Sequence, residues 1–258
     1  MSKLSVFERY PQLKTLKGLV PDEVVEREIG LRADELDADI ARAAKTIATV
    51  NMNKIFPEAL EKSAIMLENF LGHWGNVSIE ELCKICLIVK YFKPACILEL
   101  GTYNGMTTLQ MALNAPKDCI VYTLDLPEEV AAGLQLSELD MHVARNFKSK
   151  FGTSTGSYFD KRAGVNIKQL LGDSATFDYS VMHVKPDIIF IDAAHDYQNK
   201  KIDSENAFRM IADNGVILWH DFMSPANPDV TKYLADISQE YKLYHLRNTM
   251  LAVYWNKK

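Results

Sequence analysis

The stretch ILELGTYNGMT (97–107) decides the fold, because it joins the end of an apolar run to the start of a helical pattern. Its two glycines, Gly101 and Gly105, stand in the turn between them, and glycine lets a backbone come close to a ligand. Ligands of open α/β sheets bind at the carboxyl ends of the strands, where such turns lie. The stretch therefore predicts a strand, a binding turn and a helix, with a tight turn that binds nothing as the alternative.

Short apolar runs recur beyond this stretch, with helical patterns between several of them, which is typical of a parallel α/β sheet. Two further runs close the chain, and the short polar link Arg247–Thr249 between them indicates a hairpin whose last strand is antiparallel. We therefore expect an α/β, mostly parallel sheet with helices on both faces. The runs are CIVYTL (119–124), VNIKQLL (165–171), DIIFID (187–192), GVILWH (215–220), YKLYHL (241–246) and MLAVYW (250–255).

The first third of the chain shows helical periodicity and no persuasive strand pattern. The spacing predicts helices in ADELDADIARAAKTIATV (33–50), over residues 57–71, and from an N-cap at Ser78 to a point before Pro94. We expect residues 1–93 to form a helical extension that covers the binding site or makes a homo-oligomer interface. Residues 94–258 are expected to form the domain that carries the site.

Composition narrows the class of protein. Hydrophobic residues make up 48% of the 258 residues and charged residues 24%, so a folded chain rather than a disordered one is expected. The net charge of −5, without a long basic run, disfavours a nucleic-acid partner. The N-terminus lacks the apolar core of a signal peptide, and no run is long enough to span a membrane. A cytoplasmic location is the expectation.

Polar residues at three strand ends predict a nucleoside-binding site. An acidic residue follows the second apolar run at Asp125, where it can bind ribose hydroxyls. Asp173 and Ser174 follow the third run and can accept from an adenine amino group. Glu99 precedes the first glycine, where a carboxylate suits a cationic ligand better than a pyrophosphate. The expected cofactor-binding residues are Glu99, Gly101, Thr102, Asn104, Gly105, Asp125, Asp173, Ser174 and Asp192.

These motifs resemble those of the class I S-adenosylmethionine-dependent methyltransferases, over about residues 95–256. ILELGTYNGMT looks like their glycine-rich first motif, and Asp125 stands where they place the ribose-binding acid. The resemblance implies a Rossmann-like, seven-stranded sheet with an antiparallel last strand, and S-adenosylmethionine as the cofactor. Four downstream stretches resemble a bacterial subfamily that includes macrolide-sugar O-methyltransferases. They are GDSATFD (172–178), DIIFIDAAHDY (187–197), SENAFRMIADNGVILWHDF (204–222) and LYHLRNTMLAVYW (243–255).

A second group of polar residues follows the fourth and fifth apolar runs. Asp192 and His195 follow one run, and His220 and Asp221 close the other, so neighbouring parallel strands would bring all four together. Carboxylates with imidazole suit a divalent cation, and Mg²⁺ favours oxygen ligands. The expected metal ligands are Asp192, His220 and Asp221. The alternative is that His220 and Asp221 only hydrogen-bond to loops.

The resemblance assigns roles to this second group. In the sugar O-methyltransferases the matching acids bind Mg²⁺, and the histidine of a D-x-x-H motif, here Asp192 to His195, is the general base. His195 and Asp192 are therefore the expected catalytic residues. His220 stands where those enzymes carry a carboxylate, so Mg²⁺, Mn²⁺, Zn²⁺ and a metal-free site all remain open.

The expected function is O-methylation of a hydroxyl on a small-molecule acceptor, such as a sugar or a natural-product glycoside. The alternatives are an N-methyltransferase or nucleic-acid methyltransferase, a non-catalytic S-adenosylmethionine-binding protein, and an NAD-dependent oxidoreductase. The missing third glycine and Glu99 disfavour the last. The long connection over residues 126–164 is expected to form a lid or binding loop, in which Tyr158 and Phe159 either roof the acceptor pocket or only pack.

Overall fold

The computed structural model describes residues 5–17, 20–57, 59, 63–70, 75–127, 155–159 and 164–257. Most of the connection that we expect to act as a lid or binding loop, over residues 126–164, therefore lies outside the described residues. None of the helices in these ranges combines the length and the apolar character needed to cross a bilayer.

One mixed sheet of eight strands organises the molecule, in the order β1-β7-β8-β6-β5-β2-β3-β4. All neighbouring pairs are parallel except that β8 runs antiparallel to both β6 and β7. The predicted α/β sheet with an antiparallel last strand is thus confirmed. The strands are β1 (Ala48–Val50), β2 (Cys96–Leu100), β3 (Ile120–Asp125), β4 (Ile167–Leu171), β5 (Ile188–Ile191), β6 (Val216–Trp219), β7 (Leu243–Leu246) and β8 (Ala252–Trp255).

Helices pack on both faces of this sheet, as the sequence predicts. One face is covered by α4 and α5, which contribute Leu82 and Met106 to a fully buried cluster. The other face is covered by α6 and α7, through residues such as Ala207 and Leu234. The helices are α1 (Val6–Arg9), α2 (Asp22–Gly30), α3 (Ala33–Thr46), α4 (Ile79–Phe92), α5 (Met106–Asn114), α6 (Tyr197–Met210) and α7 (Pro228–Ile237).

The predicted N-cap of α4 at Ser78 is confirmed, and its hydrogen bonds fix the carboxylate of Glu81. Ser78 Oγ accepts the backbone N–H of Glu81, and Glu81 Oε2 accepts the N–H of Ser78 at 2.8 Å. This reciprocal capping box satisfies two donors that the first turn of a helix leaves open. The helix ends at Phe92, and its C-cap residue Lys93 is left-handed and precedes Pro94.

The helix predicted in residues 33–50 is wrong at its end, because α3 stops at Thr46 and Ala48–Val50 form the strand β1. Three residues are too few to give a periodic strand signal. The strand β1 pairs with β7 and makes the eighth strand, where the family resemblance implies seven. Thr49 faces His245 in this pair, and Thr49 Oγ1 lies 3.0 Å from His245 Nδ1. The first third of the chain therefore contributes to the sheet as well as to the helices.

The helix predicted over residues 57–71 is wrong for residues 63–70, which have no helical structure. Two buried side-chain amides of α5 bind this segment instead. Asn114 accepts the N–H of Met66 at 2.8 Å and donates to its carbonyl at 2.7 Å. Gln110 makes the same pair of bonds with Glu68, at 2.9 and 2.7 Å. Each side-chain amide thus pairs with one backbone N–H and one carbonyl of the segment, as a neighbouring strand would.

The helix α3 packs against α7 on the outer side of the molecule. Ion pairs join Arg32 to Asp229 and Arg42 to Asp236. Thr46 Oγ1 lies 2.6 Å from Ser238 Oγ. The division of the chain at residues 93 and 94, and the lid or oligomer role of the first part, stay predictions.

Candidate active site

The glycine turn after β2 lies against the end of the neighbouring strand β5. Gly101 has a φ of 95°, and a Cβ at this position would come within 2.3 Å of the carbonyl oxygen of Asp192. The N–H of Asp192 donates to Leu100 at 2.8 Å, which fixes the two strand ends together. The glycine is therefore required both for its φ and for the close approach of two backbones.

Asp125 at the end of β3 holds the same turn from the other side. Its Oδ2 accepts the backbone N–H of Tyr103 at 2.7 Å, and its Oδ1 accepts the N–H of Leu126 at 2.8 Å. Burial raises the pKa of this carboxyl, although the backbone hydrogen bonds oppose the shift. The structure thus places the expected ribose-binding acid beside the turn and gives it a second task, which is to shape the turn.

Glu99 is buried beneath the turn, with 1% of its surface exposed. Its Oε2 accepts hydrogen bonds from the hydroxyls of Thr108 and Thr123. Burial raises the pKa of Glu99 to about 8 against these two hydrogen bonds. Thr102 also faces inward, and its Oγ1 lies 2.7 Å from Thr123 Oγ1. Direct contact of Glu99 and Thr102 with a cofactor stays a prediction.

Asn104 contributes a buried donor to the turn. Its Oδ1 accepts the N–H of Met106, the first residue of α5, at 3.0 Å. Its Nδ2 is buried and has no hydrogen-bond partner among the described residues. A buried amide donor without a partner is costly unless a ligand or water accepts from it. The pocket at this point is lined by residues 75–77, by the turn and by Asp192.

The short segment over residues 155–159 lies on the glycine turn. The N–H of Gly156 donates to the carbonyl of Tyr103 at 2.9 Å, and the N–H of Tyr158 donates to that of Asn104 at 3.0 Å. The ring of Phe159 fills the space beside Gly105, where a Cβ would come within 2.4 Å of it. Phe159 therefore packs on the turn itself.

Asp173 and Ser174 follow β4 at the outer edge of the site. The N–H of Gly172 donates to the carbonyl of Asp125 at 2.9 Å, which brings this loop beside the expected ribose acid. Asp173 Oδ1 accepts the N–H of Ala175 at 2.9 Å. The side chain of Asn206 on α6 donates to the carbonyl of Ser174 at 3.2 Å.

The ends of β5 and β6 bring together all four residues of the second group. His195 Nε2 lies 3.0 Å from Asp221 Oδ2. His220 Nδ1 lies 3.2 Å from Asp192 Oδ1 and 3.4 Å from Asp221 Oδ2. Asp221 has a φ of 63°, a left-handed conformation that aspartate tolerates better than most residues. This conformation turns the chain sharply at the point where the imidazoles and carboxylates meet.

A fifth member of this group, Glu81, is not identified by the sequence analysis. It comes from the first turn of α4, and its Oε2 lies 3.4 Å from His220 Nε2. Its Oε1 accepts the N–H of Met250, in the turn between β7 and β8, at 2.6 Å. In the sequence, Glu81 is recognisable only as the glutamate of a capping box with Ser78. That role gives no indication that its carboxylate also faces the site.

The carboxylates and His220 shift one another's pKa values. Burial lowers the pKa of His220, but the carboxylates of Asp192 and Asp221 outweigh it and hold the pKa well above its usual range. Burial raises the pKa of Asp221, and His220 and His195 outweigh it in the opposite direction. For Glu81 the contact with His220 and the backbone hydrogen bonds outweigh burial and lower the pKa to about 2. Glu81, His220 and Asp221 thus favour one another's charged forms.

The donor set fits a divalent cation. Asp192, His195 and Asp221 each place one ligand atom within 4.8 Å of the others. His220 Nδ1 faces the same two carboxylates, at the distances given above. Two carboxylates with an imidazole are common ligands of first-row divalent metals, and the carboxylates alone suit Mg²⁺.

Comparison with known proteins places the site in a family. Residues 98–222 match the family model described as a methyltransferase domain. No curated protein matches the sequence. The cofactor-bound protein Rv0187 from MTB is 16% identical, with a TM-score of 0.51, over 86% of this chain and 97% of that chain. The O-methyltransferase from Bacillus cereus in complex with SAH is 17% identical, with a TM-score of 0.46, over 93% of each chain.

The family match runs from within β2 to just past the end of β6, and so covers most of the site but not Glu81. It includes the glycine turn, Asp125, and the four residues at the ends of β5 and β6. At this low identity the likeness to Rv0187 shows the fold alone, and that fold agrees with the family model. Residues 98–222 of this chain therefore match a methyltransferase domain, in agreement with the S-adenosylmethionine-dependent methyltransferase that the sequence analysis predicts.

Proposed function

We propose that this protein transfers the methyl group of S-adenosylmethionine to a hydroxyl of a small molecule, such as a sugar or a natural-product glycoside. The observation that carries the proposal is the 3.0 Å contact between His195 Nε2 and Asp221 Oδ2 beside the glycine turn. A hydroxyl is a poor nucleophile until it loses its proton, so its methylation needs a base at this place.

Several features support the choice of cofactor. The close approach of Gly101 to Asp192 leaves backbone rather than side chain in the floor of the pocket. Asn104 Nδ2 offers a buried donor, and the carboxylate of Asp125 lies where ribose hydroxyls would bind. Asp173 and Ser174 stand at the adjacent strand end, for the adenine. The cofactor supplies the reactive methyl group, and these residues orient it.

His195 is the proposed general base. A carboxylate can only accept a hydrogen bond, so Asp221 selects the tautomer of a neutral His195 that carries its hydrogen on Nε2. The lone pair then stands on Nδ1, which is the atom that would take the proton from the acceptor hydroxyl. The side chain of His195 is 29% exposed, so an acceptor can reach it. Holding the acceptor and the methyl group in line supplies about 7–11 kcal/mol of the barrier.

Asp192, His220 and Asp221 are the proposed metal ligands, which leaves His195 to act as the base. A bound cation, with Mg²⁺ as the first candidate and Mn²⁺ or Zn²⁺ as the others, would lower the pKa of the acceptor hydroxyl. Asp192 has a further positioning task, because its backbone forms the wall against which Gly101 packs. The alternative is a metal-free site in which His195 alone activates the hydroxyl, and the thermal-shift panel with EDTA or Mg²⁺ distinguishes the two.

The first experiment is a thermal-shift panel with S-adenosylmethionine, its demethylated product and NAD, each with EDTA or Mg²⁺. A ligand at about 100 times its Kd adds about 2.7 kcal/mol to the free energy of unfolding, which raises Tm by several degrees. We expect a shift with S-adenosylmethionine and none with NAD. No shift with S-adenosylmethionine at any workable concentration would contradict the proposal.

The second experiment measures methyl transfer from labelled S-adenosylmethionine to a panel of sugars, glycosides and amines. His195→Ala should lower kcat by about 10²–10⁴-fold on the best acceptor. His183→Ala is the matched control, since His183 is exposed and lies outside the site. Turnover of His195→Ala within threefold of the wild type would disprove the base. Exclusive methylation of amines would favour the N-methyltransferase, and binding without any turnover would favour a non-catalytic protein.

A further inference from the structure

Glu81 has more contacts than a helix cap needs. The capping box uses only Oε2, which accepts the N–H of Ser78 at 2.8 Å. Oε1 accepts the N–H of Met250 at 2.6 Å, and Oε2 also lies 3.4 Å from His220 Nε2. The side chain is 2% exposed, and removing a carboxylate from water costs several kcal/mol unless it is well paired. An exposed glutamate would cap the helix without that cost.

The two nitrogens of His220 face different surroundings. Nε2 faces Glu81 alone among the described ion pairs, on the side of α4. Nδ1 faces the two carboxylates at the ends of β5 and β6, those of Asp192 and Asp221. Nε2 is buried and makes no hydrogen bond of good geometry among the described residues, and the carboxylate of Glu81 lies 3.4 Å from it. Because a carboxylate can only accept, this neighbour favours a hydrogen on Nε2. A histidine that binds a metal through one nitrogen commonly donates its other N–H to a carboxylate in the same way.

We propose that Glu81 is a positioning residue, which fixes the ring of His220 with its hydrogen on Nε2 and presents Nδ1 to a divalent cation shared with Asp192 and Asp221. This inference rests on the metal site of the proposed function. Met250 contributes as well, because its backbone N–H, in the β7–β8 turn, donates to Glu81 and helps to position it. The orientation of the His220 ring would thus depend on α4, on the end of β6 and on this turn.

The test compares Glu81→Gln with Ser78→Ala. The first removes the carboxylate that faces His220 while keeping the size of the side chain. The second removes the side-chain cap of the same helix, which lowers its stability modestly, and keeps Glu81 in place. Binding of Mn²⁺ is measured by electron paramagnetic resonance of the free ion, after circular dichroism shows that each variant is folded.

Glu81→Gln should raise the Kd for Mn²⁺ by about 10–100-fold, the usual effect of losing such a partner. Ser78→Ala should stay within about twofold of the wild type. An unchanged Kd in Glu81→Gln would overturn the inference, and so would an equal rise in both variants. Glu81→Asp, which keeps the charge on a shorter side chain, should recover part of the loss.

A second measurement does not depend on the folding of a variant. The wild-type protein is labelled with ¹⁵N-histidine and loaded with Zn²⁺, and His220 is assigned from the resonances missing in His220→Ala. A proton on Nε2 with a metal-shifted Nδ1 is the expected pattern, and the reverse pattern would overturn the inference. If the wild type binds neither Mn²⁺ nor Zn²⁺, the inference fails. Methyl transfer by the metal-free wild type would show that the proposed function nevertheless stands.

Discussion

Asp125 and Tyr103 are joined by a short hydrogen bond, in which the backbone N–H of Tyr103 donates to Asp125 Oδ2 at 2.7 Å. Tyr103 has a φ of 49°, so the bond holds a residue in the left-handed region. Asp125→Ala should weaken binding of S-adenosylhomocysteine at least tenfold. It removes the proposed acceptor for ribose and frees the turn, and an unpaired buried N–H costs about 1–3 kcal/mol. Isothermal titration calorimetry measures the binding.

The control for this change is Asp178→Ala. Asp178 also accepts a backbone N–H, that of Ser180 at 3.0 Å, but it is exposed and caps the short helix Tyr179–Met182. It should leave the affinity for S-adenosylhomocysteine unchanged. Equal affinity in Asp125→Ala and the wild type would show that Asp125 neither binds the ribose nor shapes the turn.

Gly101→Ala should be far more destabilising than Gly164→Ala. Both glycines have a positive φ, 95° and 84°, so both substitutions carry the backbone cost of about 1–2 kcal/mol. At Gly101 the new Cβ would also come within 2.3 Å of the Asp192 carbonyl oxygen, whereas nothing lies within 4 Å at Gly164. Urea denaturation measures both losses, and similar losses would show that the contact with Asp192 relaxes freely.

The sequence predicts the central sheet because β2, β5 and β6 are buried along their whole length and therefore read as short, continuous apolar runs. The antiparallel end follows from the hairpin spacing around Arg247–Thr249. The grouping of Asp192, His195, His220 and Asp221 can likewise be predicted, since all four lie within four residues of the end of β5 or β6. Side chains this close to the ends of neighbouring strands lie near one another.

Two features could not be predicted, because each depends on a partner distant in the chain. Residues 63–70 are not helical, since Gln110 and Asn114 bind the backbone of Met66 and Glu68, and local periodicity carries no sign of those amides. Glu81 joins the site only because α4 packs against the end of β6. Its position in a capping box, S-x-x-E, accounts for it fully at the level of the sequence.

Gln110→Ala tests the first of these partnerships. Gln110 is fully buried, and its loss leaves the N–H and the carbonyl of Glu68 without the amide that pairs with them. The free energy of unfolding should fall by about 1–3 kcal/mol, measured in urea. Gln198→Ala, at an exposed position of α6, is the control and should stay within about 0.5 kcal/mol of the wild type. Equal stability of both variants would mean that water replaces the amide.

Glu99 should make the protein less stable as the pH rises from about 4.5 to about 8. Burial raises its pKa from the ordinary value of 4.5 to about 8, so the folded state favours the protonated carboxyl. The stability that this proton contributes is complete below the unfolded pKa and is lost as the pH rises through the folded pKa. In this range the loss amounts to about 1.4 kcal/mol for each pH unit.

Glu99→Gln isolates this contribution, because glutamine copies the neutral carboxyl and does not titrate. We expect the difference in Tm between the variant and the wild type to grow steadily from pH 5 to pH 8, with the variant more stable at the upper end. Thr108 and Thr123 can still donate to the amide oxygen that replaces Oε2. Glu240→Gln, at an exposed position after α7, should show no such trend. A constant difference across this range would mean that Glu99 is already ionised in the folded protein at pH 5, and that the two threonine hydroxyls stabilise its charge fully against burial.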